Sequence, residues 1–102
     1  MEIQESKLEL NSKVITYDNR KIKGTHYNEA VYAEGIITKI YTLVFNTKNH
    51  LYQYRIKLPS GKNIFRYKYD IFDTEEQCLK TIDIINTRRE VMREAKEKLK
   101  NL

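Results

Sequence analysis

Residues Leu51–Leu58 alternate without a break. Tyr52, Tyr54, Ile56 and Leu58 fall on one side of an extended chain, and Gln53, Arg55 and Lys57 on the other. Side chains of a strand point to opposite faces with a period of two, so this is a strand with one dry face. Pro59-Ser60-Gly61-Lys62 follows. Proline presets one turn angle and glycine admits a positive one, which makes this segment a hairpin loop. The chain returns through Ile64–Tyr69, where Phe65, Tyr67 and Tyr69 alternate with Ile64, Arg66 and Lys68. The pattern predicts that the cations of both strands share one face and most aromatics the other. A chain with such a hairpin has to build a sheet around it, because an isolated hairpin is barely stable in water.

Further sheet material lies upstream. Val31–Phe45 is rich in Ile, Val, Thr and Tyr and reads as a long β segment, with Gly35 expected to mark a bulge or bend. Lys13–Tyr17 reads as a short strand, Asn46–Asn49 as a polar turn, and Asp18–Ala30 as a long loop around Gly24. The helix signal begins at Thr74. Thr74 with Gln77 three residues on forms a capping box, and Glu75 and Glu76 occupy the first turn, where the helix dipole favours acids. Cys78, Ile82, Ile85, Met92, Ala95, Leu99 and Leu102 supply the apolar periodicity. Unbroken from Glu75 to Lys100, the helix would extend roughly 39 Å, longer than so small a sheet is wide. Asn86-Thr87 is the expected hinge, since neither residue favours a helix interior.

Charge is segregated along the 102 residues. Gly35–Tyr69 contains no Asp or Glu but carries Lys39, Lys48, Arg55, Lys57, Lys62, Arg66 and Lys68. The flanking thirds are each close to neutral, so the middle accounts for the whole net charge of +5. Seven of the eleven aromatic residues lie in the same stretch. A basic sheet face of this kind points to a polyanion, most simply nucleic acid, DNA or RNA, or a nucleoprotein. Arg55, Lys57, Lys62, Arg66 and Lys68 are the expected phosphate contacts, with Lys39 and Lys48 at the margin. Tyrosines beside them would stack bases wherever they are exposed. The competing reading is a solvated face whose lysines reflect AT-rich codons. Arg20–Tyr27 carries further cations but lacks the glycine and Lys-Ser/Thr spacing of a phosphate-cradling loop.

Catalytic and metal chemistry find little support. Cys78 is the only cysteine, which rules out an internal disulfide and a cysteine-based zinc site and suits a reducing cytoplasm. Its place on the apolar helix face marks it as a core residue. His26 and His50 lack partners at ligand spacing, and Ser6, Ser12 and Ser60 lie in no nucleophile context. The expectation is a protein without enzymatic activity or cofactor. Met1–Leu10 does not read as a signal peptide, and no apolar run reaches membrane-spanning length. The second half of the helix offers a partner surface through Arg88, Arg89, Met92, Arg93 and Leu99, with self-association as one use of it.

Gly35-Ile36-Ile37-Thr38-Lys39-Ile40, Tyr52-Gln53-Tyr54-Arg55-Ile56 and Tyr67-Lys68-Tyr69-Asp70-Ile71-Phe72-Asp73-Thr74-Glu75-Glu76 resemble the small Src-homology-3-like β-barrel proteins of phages and mobile elements in low-GC bacteria. The resemblance covers roughly residues 13–85. It implies an α+β fold: a small, partly open antiparallel barrel over 13–72, a C-terminal helix over 74–100, and an N-terminal segment 1–12. A cation at Lys68, where such proteins often have an acid, departs from the pattern. A second resemblance is to the three-stranded-sheet DNA-binding domains of integrase arms, which would lay Arg55, Lys57, Arg66 and Lys68 in a major groove. Two functions follow as expectations. One is a basic module that binds nucleic acid. The alternative is a phage-encoded, anti-CRISPR-like inhibitor that binds a host defence protein.

Overall fold

The computed structural model describes residues 8–44 and 50–101. Lys48, the turn Asn46–Asn49, Leu102 and the first seven residues lie outside them. Four strands, β1 (Lys13–Lys21), β2 (Asn28–Val44), β3 (His50–Lys57) and β4 (Asn63–Tyr67), form one antiparallel sheet in sequence order. A 3-10 turn (Lys68–Asp70) leads into the helix α1 (Glu75–Lys100). The result is a curled half-barrel followed by one long helix.

β1 and β2 are longer than their apolar patterns predict. The segment expected as a loop over Asp18–Ala30 is mostly strand, with Lys21 paired to Asn28 around a short tip. Polar residues extend this hairpin because its ladder does not need a buried face at every position. At the tip, Ile22 N donates to Tyr27 O at 2.8 Å, and Gly24 takes the positive φ of 79° that the turn requires.

The bulge is at Thr38 and not at Gly35. Ile37 pairs with Ile56 and Lys39 with Arg55, which leaves Thr38 as the extra residue. Gly35 has a different task. A Cβ there would lie 2.5 Å from Ile56 Cγ2 and 2.8 Å from Lys57 O, so β2 passes β3 at a distance that excludes any side chain.

β1 and β4 never pair, yet the barrel is drawn closed between them. Phe72 N donates to Ile15 O at 2.9 Å, and Thr16 Oγ1 donates to Asp70 O at 2.6 Å. Arg66 Nε and Nη2 donate to Tyr17 O at 3.1 and 2.7 Å. Lys62 Nζ reaches both Asp18 oxygens, at 2.9 and 3.1 Å. Four successive β1 residues are thus tied to the chain running from Phe72 back to Lys62. Three of these links use side chains, which satisfy an edge that would otherwise be open.

Two cores result. Inside the curl, Val14, Ile37, Tyr54, Ile56, Leu58 and Ile64 are buried together. Between α1 and the other side of β1 and β2, Cys78, Ile82 and Ala30 are buried with Ile15, Tyr17, Tyr32, Phe72 and Ile85 around them. The capping residue is Thr74, whose side chain accepts from Gln77 N at 3.2 Å. The helix has no hinge at Asn86. It runs unbroken, and the Asn86 carboxamide is engaged through both its oxygen and its nitrogen: Oδ1 accepts from Ala30 N at 2.7 Å and Nδ2 donates to Ala30 O at 3.0 Å. The tertiary partner overrides the weak intrinsic propensity. Among the described residues no helix is long and apolar enough to cross a membrane.

Candidate nucleic-acid interface

The half-barrel has an outer face that α1 leaves bare, since the helix packs on β1 and β2. Pairing defines its rows. Lys39, Arg55 and Phe65 lie side by side, and so do Tyr41, Gln53 and Tyr67. Lys57 lies between Ile36 and Asn63 at one margin. The neighbouring row, Ile40, Tyr54 and Arg66, belongs to the opposite face, where Tyr54 is fully buried.

This corrects the expected segregation of cations from aromatics. Leu58 N donates to Lys62 O, and the loop length sets Ile64 opposite Ile56 in the core. Phe65 and Tyr67 therefore turn outward, and Arg66 turns toward the closure. The signal for this was the burial demand of Ile64, which competes with that of Phe65 in the same strand. A hydrophobic pattern with apolar residues on both faces cannot say which face wins.

The expected phosphate contacts divide accordingly. Lys39, Arg55 and Lys57 share the outer face. Arg66 packs its guanidinium 4.6 Å from the centroid of the Tyr17 ring while bonding Tyr17 O, and Lys62 is ion-paired with Asp18. Both hold β1. Lys68 is exposed, but it sits in the 3-10 turn, beyond the end of the β4 ladder.

Aromatic rings are organised on the same face. The Tyr41 and Phe65 rings lie 6.2 Å apart at 48°, and Tyr67 and Tyr69 stack at 5.6 Å and 21°. Lys39 Nζ lies 4.9 Å from the Tyr41 centroid. Phe65 is 48% and Tyr69 68% exposed, high values for rings that could have been buried. Arg55 is oriented by a hydrogen bond from its Nε to Thr38 Oγ1 at 2.9 Å, so the bulge residue positions a cation. No acid occurs in β3, in β4 or in β2 beyond Gly35.

Elsewhere, Asp70 lies beside Arg66 and the Tyr17 hydroxyl. Burial pushes its carboxyl above the ordinary range, against the pull of Arg66 and Tyr17. Burial, and then Glu75, push the Cys78 thiol up as well, and its Sγ donates to Thr16 O at 3.2 Å, so this cysteine is a core residue. Among the described residues no group of three or more His, Cys, Asp or Glu comes together as metal ligands.

The expected partner surface on α1 is split too. Arg89 Nη1 lies 3.5 Å from Asn28 O, and Arg93 lies over the Tyr27 ring at 5.4 Å. With Arg88 and Met92 they line a groove between the helix and the tip of the β1–β2 hairpin. Leu99 lies beyond it, exposed. No family model matches this chain, and no curated protein or solved structure matches it.

Proposed function

We propose that this protein binds single-stranded nucleic acid on the outer face of β2, β3 and β4. The observation that carries the reading is the interleaving of outward rings (Tyr41, Phe65, Tyr67, Tyr69) with Lys39, Arg55 and Lys57 on β3, β4 and the part of β2 beyond Gly35, where no acid occurs. Each element has a role. Unpaired bases stack on aromatic rings whatever their sequence, while cations track the phosphates. In a duplex the base faces are hidden, so the rings would have nothing to stack on. Tyr67 and Tyr69 already lie against one another, as do Tyr41 and Phe65, which fixes the platform before a ligand arrives.

The test is fluorescence anisotropy with labelled single- and double-stranded DNA and RNA at two salt concentrations. The expected result is preferential binding of single strands, weakening with salt by a slope of about 0.7 per phosphate neutralised. No binding at low salt, or binding indifferent to salt, would falsify the proposal.

A further inference from the structure

We infer that the groove between α1 and the tip of the β1–β2 hairpin binds a nucleoside diphosphate. The groove has a volume of about 560 Å³. Small-molecule sites run from about 300 to 1,000 Å³, so one nucleotide fits the space. Both walls are fixed in advance. At the tip, Thr25 Oγ1 donates to Ile22 O at 2.9 Å and accepts from Tyr27 N at 3.1 Å, which holds Ile22 and Tyr27 in place. Opposite them, the bonds between Asn86 and Ala30 hold the helix. A site whose walls need no ordering loses less free energy when a ligand arrives.

Charge selects the ligand. Arg88, Arg89, Arg93 and Lys96 line the groove, against Glu29 and Glu90. Glu29 is already held by Arg20 at 2.8 Å, so positive charge is in excess. Arg89 and Arg93 are half-buried, yet among the described residues none of the four cations is ion-paired. Charges drawn partly out of water without a counter-charge are costly until an anion joins them. Guanidinium forks match phosphate oxygens two at a time. A single carboxylate leaves most of the excess unanswered, whereas two linked phosphates meet it. Arg93 is held over the Tyr27 ring at 5.4 Å, which aims its guanidinium beforehand. Ile22, Tyr27 and Met92 supply the apolar part of the lining, and Met92 is 61% exposed. An inorganic anion has no use for such a surface, but the flat ring of a nucleoside does. None of these residues lies on the outer sheet face, so this site is separate from the single-strand platform.

Isothermal titration calorimetry of the full chain with ADP, GDP, CDP and UDP is the test, with inorganic pyrophosphate as the comparison. The expected result is saturable binding of at least one nucleoside diphosphate, tighter than that of pyrophosphate. Arg93→Gln and Lys96→Gln should each weaken it about tenfold or more. Lys39→Ala, on the sheet, should leave it unchanged. Lys96 is exposed and makes no ion pair among the described residues, so its variant reports on the ligand even where Arg93→Gln loosens the hairpin tip. Three results overturn the inference: no saturable binding of any of the four, pyrophosphate bound as tightly as the best nucleotide, or binding lost in Lys39→Ala and kept in both groove variants.

Discussion

Asn86 acts on Ala30 as a neighbouring strand would, accepting from its N–H and donating to its C=O. β3 ends before this part of β2, so the edge that Asn86 covers has no ladder partner. One carboxamide thus satisfies an edge and docks the helix. Asn86→Ala leaves both backbone groups without it and should cost about 1–3 kcal/mol. Urea unfolding measures this; a loss within the error of the midpoint would show that water replaces the amide without penalty.

Arg66 and Lys39 separate stability from binding. Arg66→Ala removes two bonds to Tyr17 O and the stacking on its ring, and should destabilise by about 1–3 kcal/mol. Lys39→Ala should leave stability within about 0.5 kcal/mol. It should weaken oligonucleotide binding and reduce the salt slope by about 0.7. Equal effects of the two changes on unfolding would contradict this division.

Asp18 gives the closure a pH dependence. Burial alone would raise its carboxyl, but the Lys62 hydrogen bond, the Asn19 backbone and the charges of Lys62 and Arg66 outweigh it and hold the group below the ordinary carboxylate range. A depressed folded value means the stabilisation is present above the unfolded value of about 3.9 and disappears as pH falls through the folded one. Lys62→Ala should therefore lower the unfolding midpoint near neutral pH, with the difference from wild type shrinking below about pH 4. A difference that grows on acidification would reverse the assignment.

Gly35→Ala tests the close passage of β2 and β3. The added methyl meets Ile56 Cγ2 and the Lys57 carbonyl, and the carbonyl cannot swing aside as the end of a flexible side chain would. The expected cost is about 1–3 kcal/mol by overpacking. Gly24→Ala meets no atom within 4 Å and should be destabilising only through its positive φ. Thermal unfolding of the two variants distinguishes the causes.

Much of the fold was legible in the residues themselves. The alternation of Tyr52–Leu58, the Pro-Ser-Gly turn and the Thr74 cap each have a local physical cause, and the half-barrel with its terminal helix follows from them. The candidate face was legible in part, because acid depletion survives any choice of register. What stayed hidden depends on contacts distant in sequence. Arg66 reads as a surface cation until Tyr17 is beside it, and Asn86 reads as a helix breaker until Ala30 is beneath it. Ile64 and Phe65 compete for one interior, and only the length of the 58–62 loop decides between them.

Thr38 makes the outer surface a matter of counting. Because β2 spends one extra residue there, Ile37 and Ile40 both meet the interior although they are three residues apart, and Lys39 and Tyr41 point outward; with the bulge straightened and Thr38 kept in the ladder, alternation would turn Lys39 and Tyr41 toward the interior and send Ile40 into water. Deletion of Thr38 makes Ile37–Ile56 and Lys39–Arg55 consecutive pairs of an unbroken ladder, so the outward residues stay outward and only the two hydrogen bonds between Thr38 and Arg55 are lost. The hydroxyl at this point accordingly matters more than the length, and a library that varies both should return folded chains with and without a residue at position 38, with the Arg55 guanidinium untethered wherever the threonine hydroxyl is missing.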